Sequence, residues 1–262
     1  MLRYILITIS GLIALQVSAS DTIRLNDIHT IACMSVDAKG NIFVADDAFS
    51  LYKFDENGKA ITNVNIKSYG QISSIDCTNP FELYVFHKDQ NIVVFYDNML
   101  NVRGEIRLND HYLNNVSCIA RSFDNNLWVV DLSQYKLLKI NKKGEILSES
   151  PYLNNILDKE LNIYTMWEYN NEVYLADSLV GIYVFDMYAT YITTHYIPNH
   201  TASIGKGQNI YFSINGALTQ YHTILRNVVN TEQVIPANTS FYLYDNRLYY
   251  YHKNTIITLF LR

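Results

Sequence analysis

The chain has 262 residues, 49% hydrophobic and 17% charged, with 22 tyrosines and 11 phenylalanines. That balance excludes a disordered chain and suits one packed unit, and the wealth of aromatic side chains favours strands. With 20 Lys+Arg against 25 Asp+Glu and no basic cluster, neither nucleic acid nor an anionic membrane surface is an expected partner.

The chain opens with MLRYILITISGLIALQVSAS, a basic Arg3, an apolar run and a small-residue end at Ala19. This is the arrangement of a secretory signal peptide over residues 1–19. The run is short and broken by Thr8, Ser10 and Gly11, which argues against an anchor, and no later stretch is long and apolar enough to span a bilayer. Cleavage leaves 20 − 1 = 19 Lys+Arg against 25 acids, a net charge of −6. The expected product is exported, remaining in the periplasm or secreted and associated with an outer membrane, and residues 20–262 form its single domain.

Self-similarity organises the rest. The apolar triplet Ile42-Phe43-Val44 returns as Leu83-Tyr84-Val85, Leu127-Trp128-Val129, Val173-Tyr174-Leu175, Ile210-Tyr211-Phe212 and Leu248-Tyr249-Tyr250. The intervals of 41, 44, 46, 37 and 38 residues match the length of one four-stranded propeller blade. In each unit a segment with small residues (Cys33, Ser74, Cys118, Thr165, Ser203), suited to a crowded centre, precedes the triplet as strand a. The triplet is strand b, and segments such as SLYKFD and GIYVFD supply strand c. Turns with Asn57-Gly58 and Lys143-Gly144 then open strand d. The sixth unit has only three strands before Arg262, while DTIRLND stands unassigned after residue 20. A ring covers its sheet edges, so residues 22–27 are expected to complete the last blade. The fold class is therefore all-β, a six-bladed β-propeller whose last blade is closed by the N-terminal strand.

The units GNIFVADDAFSLYKFDENGKAI, NNLWVVDLSQYKLLKINKKGEIL and NEVYLADSLVGIYVFDMYATYI resemble NHL-type six-bladed propeller repeats. The resemblance implies an architecture over residues 31–260 and little about activity, since propellers host binding modules and enzymes alike. Unit two departs from it with His87 where the motif has Asp, unit five with Ile214 and unit six with His252.

Asp46, Asp131 and Asp177 end strand b in three units, and a carboxylate there accepts N–H bonds of the following turn, so these three are read as structural. The connections before strand a and the b-to-c turns share one face. They place His29, Gln71, Asn115, Asn162, His200 and Asn238 beside Asp47, His87, Lys88, Gln134, Asn215, His252 and Lys253. This polar set is the expected ligand or partner face, as loops on a rigid scaffold commonly carry function. Six-bladed lactonase-like propellers hold a divalent metal with Glu, Asp and Asn, and by that resemblance Glu168, Asn115, Asn162 and Asp177 form an alternative metal set. No spacing supports it, and no catalytic motif, metal or cofactor is expected. Cys33, Cys77 and Cys118 are odd in number and read as buried small hydrophobes without a disulfide. The leading reading is a non-enzymatic scaffold that binds a protein, within an outer-membrane assembly. The alternatives are a metal-dependent hydrolase in the channel and a glycan-binding module using Tyr and Asn.

Overall fold

The computed structural model describes residues 20–157, 160–236 and 239–261. They build six four-stranded antiparallel sheets, the six blades expected from the repeat. In blade 1 strands a to d are Ile31–Val36, Ile42–Asp46, Ser50–Phe54 and Ala60–Asn65. The inner strands of blades 2 to 5 are Ser74–Asp76, Val116–Arg121, Ile163–Tyr169 and Ala202–Lys206. Blade 6 has Phe241–Tyr244, Arg247–His252 and Thr255–Phe260 from the C-terminal end and takes Ser20–Arg24 as its outer strand. That strand pairs from Ser20 opposite Leu259 to Arg24 opposite Thr255. It starts two residues before the expected closing segment and stops at Arg24. Leu25 still donates to the Asn254 carbonyl at 3.0 Å, but Leu25 and Ile28 then turn into the core between blades 6 and 1, which draws the chain out of the sheet. Residues 1–19, the expected signal peptide, lie outside the described residues.

The core is six wedges, one in each gap between blades. Side chains alternate across a strand, so each triplet serves two wedges. Phe43 faces blade 2 while Ile42 and Val44 face blade 6. Tyr84 and Phe86 meet Leu127 and Val129. Trp128 and Val130 meet Val173 and Leu175, and Tyr174 and Ala176 meet Ile210 and Phe212. Because both faces are covered, strands b of blades 1 and 3 are buried throughout, which is why the sequence shows apolar runs there and not alternation. The outer strands are mostly exposed.

Inner strands of neighbouring blades approach around the axis. In blade 2 strand a is only Ser74–Asp76, and there the inner strand of blade 3 packs against strand b instead. In blades 1, 3 and 4 strand a begins with a bulge: the register shifts between Ile31 and Cys33, between Val116 and Cys118 and between Ile163 and Thr165. The residue before the bulge lies opposite the Asp that ends strand b, Ile31 to Asp46, Val116 to Asp131 and Ile163 to Asp177. A five-residue helix, Leu153–Leu157, and 3-10 turns at Lys67–Tyr69 and Leu108–His111 occupy connections before strand a.

Candidate functional site

The connections before strand a and the b-to-c turns do share one mouth of the ring, and backbone bonds join them. Asp47 N–H donates to Thr30 O at 3.1 Å, Leu132 N–H to Asn115 O at 2.9 Å and Ser178 N–H to Asn162 O at 3.4 Å. The three repeated carboxylates accept hydrogen bonds beneath them, with Asp131 Oδ2 buried and without a partner among the described residues. Asp46 Oδ1 accepts Ala48 N–H at 3.0 Å and Ser50 N–H at 2.8 Å, and Oδ2 accepts the Tyr52 hydroxyl at 3.1 Å. Asp131 Oδ1 accepts Ser133 N–H at 2.8 Å, its hydroxyl at 2.6 Å and Asn115 N–H at 3.3 Å. Asp177 Oδ1 accepts Leu179 N–H at 2.9 Å and Val180 N–H at 3.1 Å, while Oδ2 accepts Asn162 N–H at 2.6 Å. In blades 3 and 4 one carboxylate thus holds the b-to-c turn and also the chain entering the bulge of strand a.

The histidines of this face divide. His29 and His252 are exposed, His29 with Nδ1 3.4 Å from Asp47 Oδ2. His87 and His200 are buried at 1% exposure, below the mouth and out of a ligand's reach. His87 donates from Nδ1 to Gly70 O at 3.1 Å and packs on Tyr69. His200 donates from Nδ1 to Ile197 O at 2.8 Å and packs on Tyr164. Neither Nε2 has a hydrogen-bond partner among the described residues. Burial lowers both pKa values below the ordinary histidine range, against the smaller upward pull of neighbouring backbone groups and, for His200, of Asp177. Gln71 donates to Asp46 O at 3.0 Å, Asn115 and Asn215 are exposed, and Asn162 donates to the Ser178 hydroxyl at 2.6 Å. Asn238 lies outside the described residues.

The alternative metal set does not assemble. Asn162 immediately precedes strand a of blade 4 and Glu168 lies near its far end, and six residues of extended chain span about 20 Å. Glu168 is turned to the opposite mouth, where its carboxylate accepts the Trp128 indole N–H and Phe123 N–H. Among the described residues no group of three His, Cys, Asp or Glu side chains is placed to hold a metal ion. The three cysteines are free and buried. Burial pushes the Cys33 and Cys118 thiols up to about 12 and raises Cys77 further, which removes the thiolate that nucleophilic attack needs.

What the strand-a mouth does present is aromatic. Tyr112 is 81% exposed, Tyr152 55% and Tyr135 44%. They are fixed by their backbones: Tyr112 O accepts Gln134 Nε2–H at 2.8 Å, and Tyr135 O accepts Leu153 N–H at 2.7 Å. Tyr135 and Tyr152 flank an open cleft of about 450 Å³ with Lys136 between them, its ammonium 5.2 Å from the Tyr152 ring. Lys136 is paired to Glu149 at 2.7 Å.

The opposite mouth, formed by the a-to-b turns, holds a larger cavity of about 710 Å³ between blades 2, 3 and 4. Phe81 and Phe123 from two of those turns and Tyr169 from the end of the strand that enters the third line it, and are 64%, 62% and 42% exposed. Nothing in the blade repeat singles out this mouth. Its signal lies in NPFE, SFDNN and EYNN, where an aromatic sits beside Asn in a turn that polar residues would otherwise fill.

No family model matches the chain, and no curated protein matches it in sequence. Solved structures do resemble it. Virginiamycin B lyase from Staphylococcus aureus superposes with a TM-score of 0.66 at 13% identity, over 93% of this chain and 99% of that one. A catalytically inactive histidine variant of that lyase, determined with quinupristin, gives 0.64 at 13% identity over 93% and 99%. The WD40 domain of Neurospora crassa Pan2 gives 0.62 at 10% identity over 87% and 76%. At such identities the likeness is one of fold: this chain is a β-propeller.

Proposed function

We propose that this protein is an exported, non-catalytic propeller that serves as a scaffold for a protein partner in a cell-envelope assembly, docking it on the mouth formed by the connections before strand a. The observation that carries the reading is the cluster of Tyr112, Tyr135 and Tyr152, three large side chains left in solvent on backbones pinned to the ring. Rigid exposed aromatics around a shallow cleft are the anchors from which protein interfaces draw most of their energy. The chemistry that catalysis would need is spent on structure in the same place: the carboxylates hold turns, and His87 and His200 are buried.

Capture from the native envelope tests this, with the mature chain and its Tyr112→Ser, Tyr135→Ser and Tyr152→Ser variants as baits. Exposed tyrosines should be replaceable without loss of melting temperature. A protein captured by the wild type and lost from the variants supports the reading. The reading fails if every captured protein is indifferent to all three substitutions.

A further inference from the structure

We infer that the cavity at the a-to-b mouth is a second binding site, and that it takes a neutral oligosaccharide of pyranose rings. The inference is independent of partner docking, because the two mouths lie at opposite ends of the inner strands.

The argument begins with charge. Every charged side chain that lines this cavity is already committed. The Arg121 side chain is 6% exposed, and its guanidinium donates to the Glu82 carbonyl and carboxylate, both at 3.0 Å, and stacks 4.5 Å over Tyr84. Asp76 accepts Thr78 N–H at 3.0 Å and its hydroxyl at 2.6 Å on one oxygen, and Arg121 N–H at 2.7 Å on the other. Glu168 uses one oxygen for Phe123 N–H and the other for the Trp128 indole. Beneath Phe123, Lys139 is bonded to Asp124 at 2.7 Å, with its ammonium 5.1 Å from the Phe123 ring and 5.3 Å from Trp128. Within the lining an anion finds no unpaired cation and a cation no free carboxylate; the nearest unpaired ammonium, that of exposed Lys39 from blade 1, lies over the Phe81 ring at 4.4 Å. These bonds do a second thing: they staple blades 2, 3 and 4 together, so the cavity is pre-formed.

What remains for a ligand is neutral. Tyr169 offers its ring, Phe81 and Phe123 offer the ring faces that Lys39 and Lys139 leave uncovered, and Trp167 adds a half-buried indole stacked on Tyr174 at 5.5 Å with the planes 2° apart. Blade 5 leaves room for that indole at Gly205, where a Cβ would lie 2.0 Å from Trp167 Nε1. The turn after Tyr169 supplies Asn170 and Asn171, and blade 2 supplies Asn79. Rigid apolar faces interleaved with side-chain amides match a ring that is apolar on its faces and hydroxylated at its edge. The volume is within the ~300–1,000 Å³ of small-ligand sites.

The chain has two tryptophans. Trp167 lines the cavity and Trp128 is fully buried, so intrinsic fluorescence reads occupancy. The mature protein is titrated with malto-, cello- and chito-hexaose and with an acidic oligogalacturonate, with calorimetry in parallel. At least one neutral sugar is expected to give a saturable signal with Kd below about 1 mM. Phe123→Ala and Tyr169→Ala, both at exposed sites, should each weaken it roughly tenfold or more while leaving melting temperature and partner capture unchanged. Trp167→Phe should silence the fluorescence but not the calorimetric binding. The inference is overturned if none of the neutral sugars binds, if the acidic sugar binds more tightly than they do, or if binding survives both aromatic truncations unchanged.

Discussion

Single residues in this ring are used more for joinery than for chemistry, and two kinds of substitution bring that out. Asp131 is fully buried and accepts three donors on one oxygen. Asp131→Ala strands those donors and should cost about 2 kcal/mol of stability, the scale of a buried bond left unmade, read as a lower denaturation midpoint. Asp131→Asn keeps an acceptor oxygen and should recover at least half of the loss. An alanine variant as stable as wild type would refute the role. The buried histidines add a pH dependence. His87 and His200 donate from Nδ1 to carbonyls, so protonation would place a proton on an Nε2 that has no acceptor among the described residues. His195, buried beside Tyr221, is lowered too, by burial first and by Arg226 second, with Glu172 opposing. A folded pKa below the unfolded value means that the unfolded chain takes up protons first. The contribution is therefore complete above the ordinary histidine pKa of about 6.5 and lost as pH falls below it, by up to about 1.4 kcal/mol per pH unit for each histidine. Melting temperature should drop between pH 7 and pH 5, with a shallower fall in His87→Gln; a flat profile would contradict the assignment.

At the scale of elements, the turns decide what was legible in the sequence. In four blades an Asx residue is the last of strand c or the one after it, and each accepts N–H groups two and four residues on. Asp55 takes Asn57 and Lys59, Asp97 takes Met99 and Asn101, Asn141 takes Lys143 and Glu145, and Asp186 takes Tyr188 and Thr190. The residue between those two donors is left-handed each time: Gly58, Leu100, Gly144 and Ala189. Reading glycine as the turn signal found the first and third and missed the others, although FDENG, YDNML, INKKG and FDMYA carry the same Asx. Triplet spacing gave the blade number because each triplet must fill two wedges, a constraint written locally, and the missing fourth strand of the sixth unit gave the closure. The depth of His87 and His200 was not legible, since Tyr69 and Tyr164, which cover them, come from other segments of the ring. The bulges opposite Asp46, Asp131 and Asp177 were not legible either, because a one-residue shift leaves the apolar pattern of strand a nearly unchanged. One turn is built against its own preference. His252 pairs with Thr255 across a two-residue loop in which Lys253 has φ 54°, where the other two-residue hairpins put Asn170, Gly207, Asn215 and Asp245 at the corresponding left-handed position. A left-handed non-glycine costs roughly 1–2 kcal/mol. Lys253 is exposed and its carbonyl, which accepts Ile31 N–H at 2.8 Å, is backbone. Lys253→Gly should therefore keep every bond and raise the melting temperature by about 2–4 °C. A fall would show that the lysine side chain has a role of its own.

For the whole molecule the decisive feature is that stability is shared around a circle. Each wedge of core belongs to two blades, so no blade keeps its buried surface if a neighbour opens, and the two ends of the chain meet in one place to close the circle. That place is blade 6, where Ser20–Arg24 is hydrogen-bonded to Thr255–Phe260 from the other end of the chain. The seal also carries the next residues: Leu25 and Ile28 are buried with Ile31, Met34 and Tyr249 in the wedge between blades 6 and 1. Removing Ser20–Arg24 leaves Thr255–Phe260 as an unpaired edge and Leu25 without its approach to the wedge. At about 1 kcal/mol for each of roughly five lost backbone bonds, the deletion should lower the melting temperature by on the order of 10–20 °C, and the exposed edge should promote association between molecules. The register supplies a control that separates closure from mere loss of residues. Ser20 lies opposite Leu259 and Arg24 opposite Thr255, so the same five residues, attached after the C-terminal strand through a short hairpin linker, would reach the same place in the same direction. That transplanted strand should restore most of the melting temperature, because the edge is covered again although the two chain ends are no longer tied. If the deletion alone leaves the melting temperature unchanged, blade 6 is stable with three strands and the N-terminal strand is not what closes the ring. If the deletion destabilises and the transplant fails to rescue, the tie between chain ends matters more than the covered edge.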